Sequence, residues 1–241
     1  MRLPCADYLI LSCEHGGNRL PAPFAKLFSR RFLHSHRGHD PGALQLARDF
    51  ARATGAPLFY STVSRLLVEL NRPLGHPQVF SARVPPAWRE TLLRRYYLPY
   101  WREVEDAIRR RKRVLHISFH SFTPELRGER RTTDVGLLFD PLRAPEADLC
   151  RRWRGAILAR DPRLRVRYND PYDGTHPSVV QSMREKFAPR RYVGIQIEVN
   201  QKFPRGDARR WRMLRRLLVE SFNTRRRNGS TLLYASSRTR R

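Results

Sequence analysis

Within Leu115–Phe122 (LHISFHSF), His116, Ser118 and His120 recur at every second position, the spacing that places side chains on one face of a β-strand. A polar row on an otherwise apolar strand costs free energy unless it is hydrogen-bonded or faces a site. Neutral imidazole binds divalent metals through either ring nitrogen, so this row is the strongest metal-ligand signal in the chain. His120, nearer the C-terminal end, is the better candidate ligand. His116 lies deeper and reads as a satisfied core residue or a supporting one. A second row occurs in Gly194–Gln201 (GIQIEVNQ), where Ile195, Ile197 and Val199 face one way and Gln196, Glu198 and Asn200 the other. A glutamate in the middle of a buried strand needs either a partner or a task. Glu198 is therefore a candidate general base whose environment raises its pKa; the alternative is a buried ion pair with one of the many arginines.

Three further clusters carry groups of the same chemical kind. In Ser12–Arg19 (SCEHGGNR), His15 meets two glycines that permit a tight turn and close approach of a ligand, although a lone histidine is more often a hydrogen-bonded loop residue. In His36–Ala43 (HRGHDPGA), Asp40 reads either as a metal ligand or as a helix N-cap with Pro41 in the first helical position. In Ser64–Pro73 (SRLLVELNRP), Arg65 opens a predicted strand and Asn71-Arg72 closes it. Guanidinium forks bind carboxylates in bidentate fashion, so these arginines are either a clamp for an acidic substrate or structural ion pairs. Tyr172, in the turn NDPYDG, either reaches a substrate or is ordinary surface chemistry.

The elements that must position these groups alternate between strand-like and helix-like patterns, which predicts an α/β domain with a mixed, mostly parallel sheet. The predicted strands are 7–13, 57–62, 66–70, 113–119, 134–139 and 192–199, and the predicted helices 41–54, 86–110, 144–160 and 205–223. The polar clusters fall where strands end, the usual place for ligand sites in open α/β sheets. In the helix at 86–110, Trp88, Leu92, Tyr96, Tyr100, Val104 and Ile108 recur at helical spacing and read as core packing. No internal repeat or linker is evident. One catalytic domain is expected over 1–223, followed by a basic, mobile tail over 224–241.

Composition narrows the classes. The 241 residues carry a net charge of +26, almost all of it from arginine spread along the whole chain. With no finger or RNA-binding signature, this predicts at most weak, non-specific nucleic-acid binding at low salt. Three cysteines (Cys5, Cys13, Cys150) without a CxxC pair predict buried thiols, not a disulfide framework or a cysteine zinc site. No run of about 18 apolar residues suggests a membrane span. The opening MRLPCADYLILSC reads as the first core strand rather than a signal peptide, so a cytoplasmic location is expected.

Taken in order, EHGGNR (14–19), HDPGA (39–43), ELNRP (69–73), HISFHSF (116–122), NDPYDG (169–174) and IQIEVNQ (195–201) resemble the N-formylglutamate amidohydrolase family over about residues 9–203. No single element is specific; the ordered set is. That family is similar to zinc carboxypeptidases and aspartoacylase-type deacylases. The resemblance implies a phosphorylase/hydrolase-like fold with helices on both faces of the sheet and one zinc ion per chain at the strand ends. It implies hydrolysis of the N-acyl (N-formyl) amide of a small acidic amino acid such as N-formyl-L-glutamate. In those relatives the first histidine ligand is followed three residues later by a glutamate ligand. Asn18 stands there in this chain, so the carboxylate must come from elsewhere, with Asp40 the first choice and Glu14 the reserve. The resemblance thus implies His15, Asp40 and His120 as metal ligands and Glu198 as the catalytic base. It also implies Arg65, Asn71 and Arg72 as a substrate-carboxylate clamp. The competing expectations are a related zinc hydrolase acting on another N-acyl amino acid or a peptide, and a basic nucleic-acid-binding protein that keeps the fold without activity.

Overall fold

Three segments of alternating apolar residues are buried along almost their whole length and form the centre of a sheet: β1 (Tyr8–Cys13), β3 (Val114–Phe122) and β8 (Tyr192–Asn200). The structure, a computed structural model, describes residues 7–223. The remaining strands are β2 (Leu58–Tyr60), the short hairpin β4 (Glu125–Leu126) and β5 (Glu129–Arg130), β6 (Val135–Leu138) and β7 (Val166–Tyr168). The helices are α1 (Arg30–Leu33), α2 (Ala43–Thr54), α3 (Pro86–Leu92), α4 (Leu98–Arg109), α5 (Ala144–Leu158), α6 (Val179–Lys186) and α7 (Ala208–Asn223). The main sheet runs β2-β1-β3-β8-β6-β7. Strands β2, β1, β3 and β8 are mutually parallel, whereas β6 runs antiparallel to β8 and pairs in parallel with β7. The expected mixed, mostly parallel sheet is therefore present.

Period-two alternation divides the core into two layers. Leu9, Leu11, Ile117, Phe119, Ile195 and Ile197 point to the face covered by α2, α5 and α7, where Phe50, Trp153 and Phe222 pack edge to face. Ile10, Val114 and Tyr192 point to the other face, among residues of α3, α4 and α6. On that second face the side chains change from apolar at the start of each strand to polar towards its end: Ile10 then Ser12, and Val114 then His116, Ser118 and His120. The parallel register sets His120 beside Glu198 and Ser118 beside Gln196.

Several expectations need correction. The run 66–70 is not a strand. It is a buried, irregular segment whose backbone groups find partners outside a ladder, as buried backbone must. Leu67 N donates to Ser64 O, Glu69 N to Val79 O, Trp101 Nε1 to Leu70 O and the Tyr97 hydroxyl to Arg72 O. The predicted helix 86–110 is divided by a π-helical turn at Leu93–Tyr97, and α4 resumes at Leu98 with Pro99, which has no N–H to give to an α-helical bond, as its second residue. β7 and α6 were not predicted. Ser178 caps α6 by accepting from Gln181 N, a capping signal present in the sequence as Ser-x-x-Gln. Cys13 and Cys150 are buried, as expected. Cys5 and the expected tail, 224–241, lie outside the described residues.

Candidate active site

The loop after β1 and the loop before α2 bring the first two groups together. At Gly17 a side chain would come within 2.7 Å of Thr62 O, so only glycine lets this turn pass against the neighbouring chain. Gly42 has φ 81 and is itself the N-cap of α2; a Cβ there would lie 2.5 Å from Pro204 Cβ. Because Gly42 ends the loop, Asp40 is not the cap and Pro41 is not the first helical residue. The Asp40 backbone N–H bonds to His15 O, and its carboxylate turns inward. This excludes the helix-cap reading of Asp40.

His15, Asp40 and His120 converge and are buried. His15 Nδ1 lies 3.1 Å and His120 Nδ1 3.0 Å from the same oxygen, Asp40 Oδ2. The outer nitrogens face other acceptors. His15 Nε2 donates to Glu69 Oε1, and His120 Nε2 lies 3.2 Å from Glu14 Oε2 and 2.9 Å from Ser118 Oγ. Glu69 and Glu14 are held ionised, well below the ordinary glutamate range. Burial opposes this, but Arg65 and His15 outweigh it at Glu69, and hydrogen bonds and charge from His120, with the Tyr100 and Ser12 hydroxyls, outweigh it at Glu14. An ionised carboxylate only accepts hydrogen bonds, so Glu69 puts the His15 proton on Nε2 and Glu14 favours the same tautomer at His120. Both Nδ1 lone pairs are then directed at Asp40, whose carboxyl is also held down, against burial, by His15 and His120.

Two nitrogen lone pairs and a carboxylate oxygen at hydrogen-bond distance repel one another unless a cation joins them. In the protein alone a proton does so: burial pushes the His120 pKa down, but its bonds to Asp40 and Glu14 prevail and raise it to about 10. The same donor set matches the nitrogen and oxygen preferences of a divalent metal, and outer carboxylates that fix histidine tautomers are the usual support of such sites. Glu14, the reserve ligand, lies on the outer nitrogen of His120, where it orients that ring.

Glu198 lines the same cavity, which has a volume of about 160 Å³. Its Oε2 is buried and has no hydrogen-bond partner among the described residues. Burial raises its pKa to about 7, with His120 opposing and Asp40 reinforcing the shift. The alternative of a buried arginine pair finds no support among the described residues: no ion pair to Glu198 is formed.

The remaining predicted residues also line the cavity, in different states of engagement. Arg65 Nε donates to Glu69 Oε2 at 2.6 Å and Nη1 lies 3.5 Å from Asp40 Oδ1, so two carboxylates already match its charge. Arg72 donates through Nη1 to Pro177 O at 2.7 Å and to Asn71 O, both neutral acceptors. Asn71 Oδ1 accepts from Val179 N, and its amide nitrogen lies 3.3 Å from His120 Nε2. The Tyr172 hydroxyl accepts from Arg131 Nη1 at 2.9 Å. His116 is not in the cavity. It bonds Ser12 Oγ and the Tyr192 hydroxyl, and burial lowers its pKa to about 4. Sequence reasoning missed Glu69 and Arg131. Glu69 stood inside a quoted motif, but only the fold reveals that this carboxylate is buried.

Comparison with known proteins gives a consistent picture. The family model described as N-formylglutamate amidohydrolase matches residues 8–203. Among curated protein sequences none matches the chain. Among solved structures, a gene product of Agrobacterium tumefaciens is 26% identical, with a TM-score of 0.72 over 94% of each chain. An N-formylglutamate amidohydrolase from Ralstonia eutropha is 21% identical, with a TM-score of 0.66 over 92% of this chain and 94% of that one.

Proposed function

The chain belongs to the N-formylglutamate amidohydrolase family, a family of hydrolases, and we propose that it is a zinc-dependent enzyme cleaving the N-acyl amide of a small acidic amino acid, with N-formyl-L-glutamate the leading substrate. One observation carries the reading: Glu198, with a buried oxygen unpartnered among the described residues, shares a cavity with three converging donors, His15 Nδ1, Asp40 Oδ2 and His120 Nδ1. Zinc bound by those three would supply a Lewis acid, lowering the pKa of water towards 7 and polarising the acyl carbonyl.

The protein's own groups supply the rest. Glu198 accepts the proton of the attacking water and passes it to the departing amine nitrogen, which requires a carboxyl with a pKa near the working pH. Arg72, the clamp arginine that pairs with no carboxylate among the described residues, binds a substrate carboxylate and with Asn71 fixes the amide relative to Glu198. Arg65 holds Glu69 and Asp40 in place and through them the two histidines. Tyr172 contacts the substrate from the opposite loop. The catalytic domain is taken as 1–223. Among the described residues no helix is long and apolar enough to cross a membrane.

The test is a panel of N-formyl-L-glutamate, neutral N-formyl amino acids and longer N-acyl groups, run with metal analysis. The expected result is about one zinc per chain, loss of activity with a chelator, and a preference for the acidic substrate. Arg72→Ala should abolish that preference by raising KM for the acidic substrate alone. Activity that survives complete metal removal would sink the zinc assignment, and equal turnover of neutral and acidic substrates would sink the clamp.

A further inference from the structure

Arg131 follows the β4–β5 hairpin, outside every motif singled out in the sequence. Its main chain is anchored at both ends: its N–H donates to Pro124 O at 2.8 Å, and its carbonyl accepts from Asn200 Nδ2 at 3.2 Å. Asn200 is fully buried and lies two residues beyond Glu198 on β8. The side chain then crosses to the loop before α6. Nη1 donates to the Tyr172 hydroxyl at 2.9 Å, and the guanidinium lies 5.0 Å from the Tyr172 ring centre and 5.9 Å from that of Phe122. Phe122 and Tyr172 line the cavity; Arg131 touches it through them.

The bond has a direction. A guanidinium has no acceptor, so the phenol oxygen must accept from Arg131, and the phenol keeps its own hydrogen for another partner. Among the described residues Tyr172 makes no second hydrogen bond. Tyr172 lines the same cavity as Glu198 and the three converging donors, His15, Asp40 and His120. Burial and Glu198 push its pKa up while the Arg131 bond pulls it down, so it stays protonated at neutral pH and remains a donor. A phenol that accepts from a cation is a stronger donor than a free one, because hydrogen bonds in a chain polarise one another.

We infer that Arg131 is a positioning residue that holds and polarises the Tyr172 hydroxyl so that it donates to the acyl oxygen of the substrate as negative charge develops there. The inference rests on the amidohydrolase reading given above. It separates two roles for cations at this cavity: Arg72 serves ground-state binding of a carboxylate, and Arg131 serves the reacting centre without touching the substrate.

The experiment compares Tyr172→Phe, Arg131→Ala, Arg131→Lys and the double variant Tyr172→Phe/Arg131→Ala in the full chain, with N-formyl-L-glutamate as substrate. Loss of one donor to a developing oxyanion typically costs about 10²-fold in kcat. The expected result is such a fall in kcat for Tyr172→Phe, a fall of about tenfold or more for Arg131→Ala, and little change in KM for either. The double variant should be no worse than Tyr172→Phe alone, since both changes remove one hydroxyl's action, and Arg131→Lys should recover part of the loss. Multiplying losses in the double variant, or an effect confined to KM, would overturn the inference. A second readout needs no turnover. In protein labelled with fluorotyrosine, the ¹⁹F resonance lost in Tyr172→Phe reports that phenol's titration. Its midpoint should rise in Arg131→Ala and fall back in Arg131→Lys. If the wild-type chain cleaves no N-acyl amino acid the proposed reaction fails, and an unmoved ¹⁹F midpoint separately overturns the pairing of Arg131 with Tyr172.

Discussion

His116 and His120 occupy one face of one strand, four residues apart, and both are buried. Their chemistry is opposite. At the lower position the neighbours are two hydroxyls, Ser12 and Tyr192, and burial holds the imidazole neutral with a pKa of about 4. At the upper position the neighbours are Asp40, Glu14 and Glu198, and the imidazole is driven to about 10. Burial alone favours the neutral ring in both places. What differs is the delivery of carboxylates: Glu198 lies beside His120 on β8, and Glu14 and Asp40 come from the turns after β1 and before α2. The strand supplies histidines at even spacing, and the carboxylates gathered at its C-terminal end decide which of them can hold a cation.

The sharpest way to break this contrast is to remove each ring. His120→Ala should lose nearly all bound metal and activity, whereas His116→Gln should keep its metal and lose stability instead. Metal analysis on folded protein decides it, and equal metal loss in both variants would erase the distinction. Glu198→Gln probes the upper end without touching a ligand. It keeps the shape and removes the base, so kcat should fall by about 10²–10⁴-fold with metal retained. Near-normal kcat in the folded, metal-loaded variant would end its assignment as the base. A smaller effect is expected one shell out. Glu69→Gln leaves an amide beside His15 Nε2 and Arg65, and metal affinity should weaken by about 10–100-fold. Competition with a chelator of known affinity measures this, and an unchanged affinity would make Glu69 merely Arg65's partner.

That last prediction concerns a residue the sequence did not yield, and the reason is geometric. The alternation of polar and apolar residues in β3 and β8 directly exposed His120 and Glu198, because a strand's face is readable at period two. The run LLVEL was read as a strand too, since a short buried apolar run looks the same whether extended or folded. In an extended strand, Arg65 and Glu69 would lie about 13 Å apart. The real segment turns on itself, Arg65 Nε reaches Glu69 Oε2, and the glutamate is thereby presented to His15. Asp40 was ambiguous for a related reason: the φ of Gly42 settles which residue caps α2, and dihedrals of glycine are not legible from its presence alone. Arg131 belongs to no motif because its role depends on a contact with Tyr172, 41 residues away.

The lower histidine gives the mildest test, through stability and pH. His116 titrates at about 4 in the folded chain, against about 6.5 when unfolded. The unfolded state therefore binds the proton more readily, and acid favours unfolding. The stabilisation from keeping this ring neutral is fully present above pH 6.5. It is lost progressively as pH falls from about 6.5 towards 4. Between pH 7 and pH 5 the loss is about 2 kcal/mol by linkage. His116→Gln removes the titration while leaving a polar group near Ser12 and Tyr192, so its unfolding free energy should depend less steeply on pH over that range, whatever its absolute value. Other ionisable groups are common to both proteins and cancel in the difference between their slopes. Urea unfolding of metal-free protein at pH 7, 6 and 5 measures that difference. Parallel curves would mean that His116 binds its proton equally well folded and unfolded, and the contrast between the two ends of β3 would then rest on His120 alone.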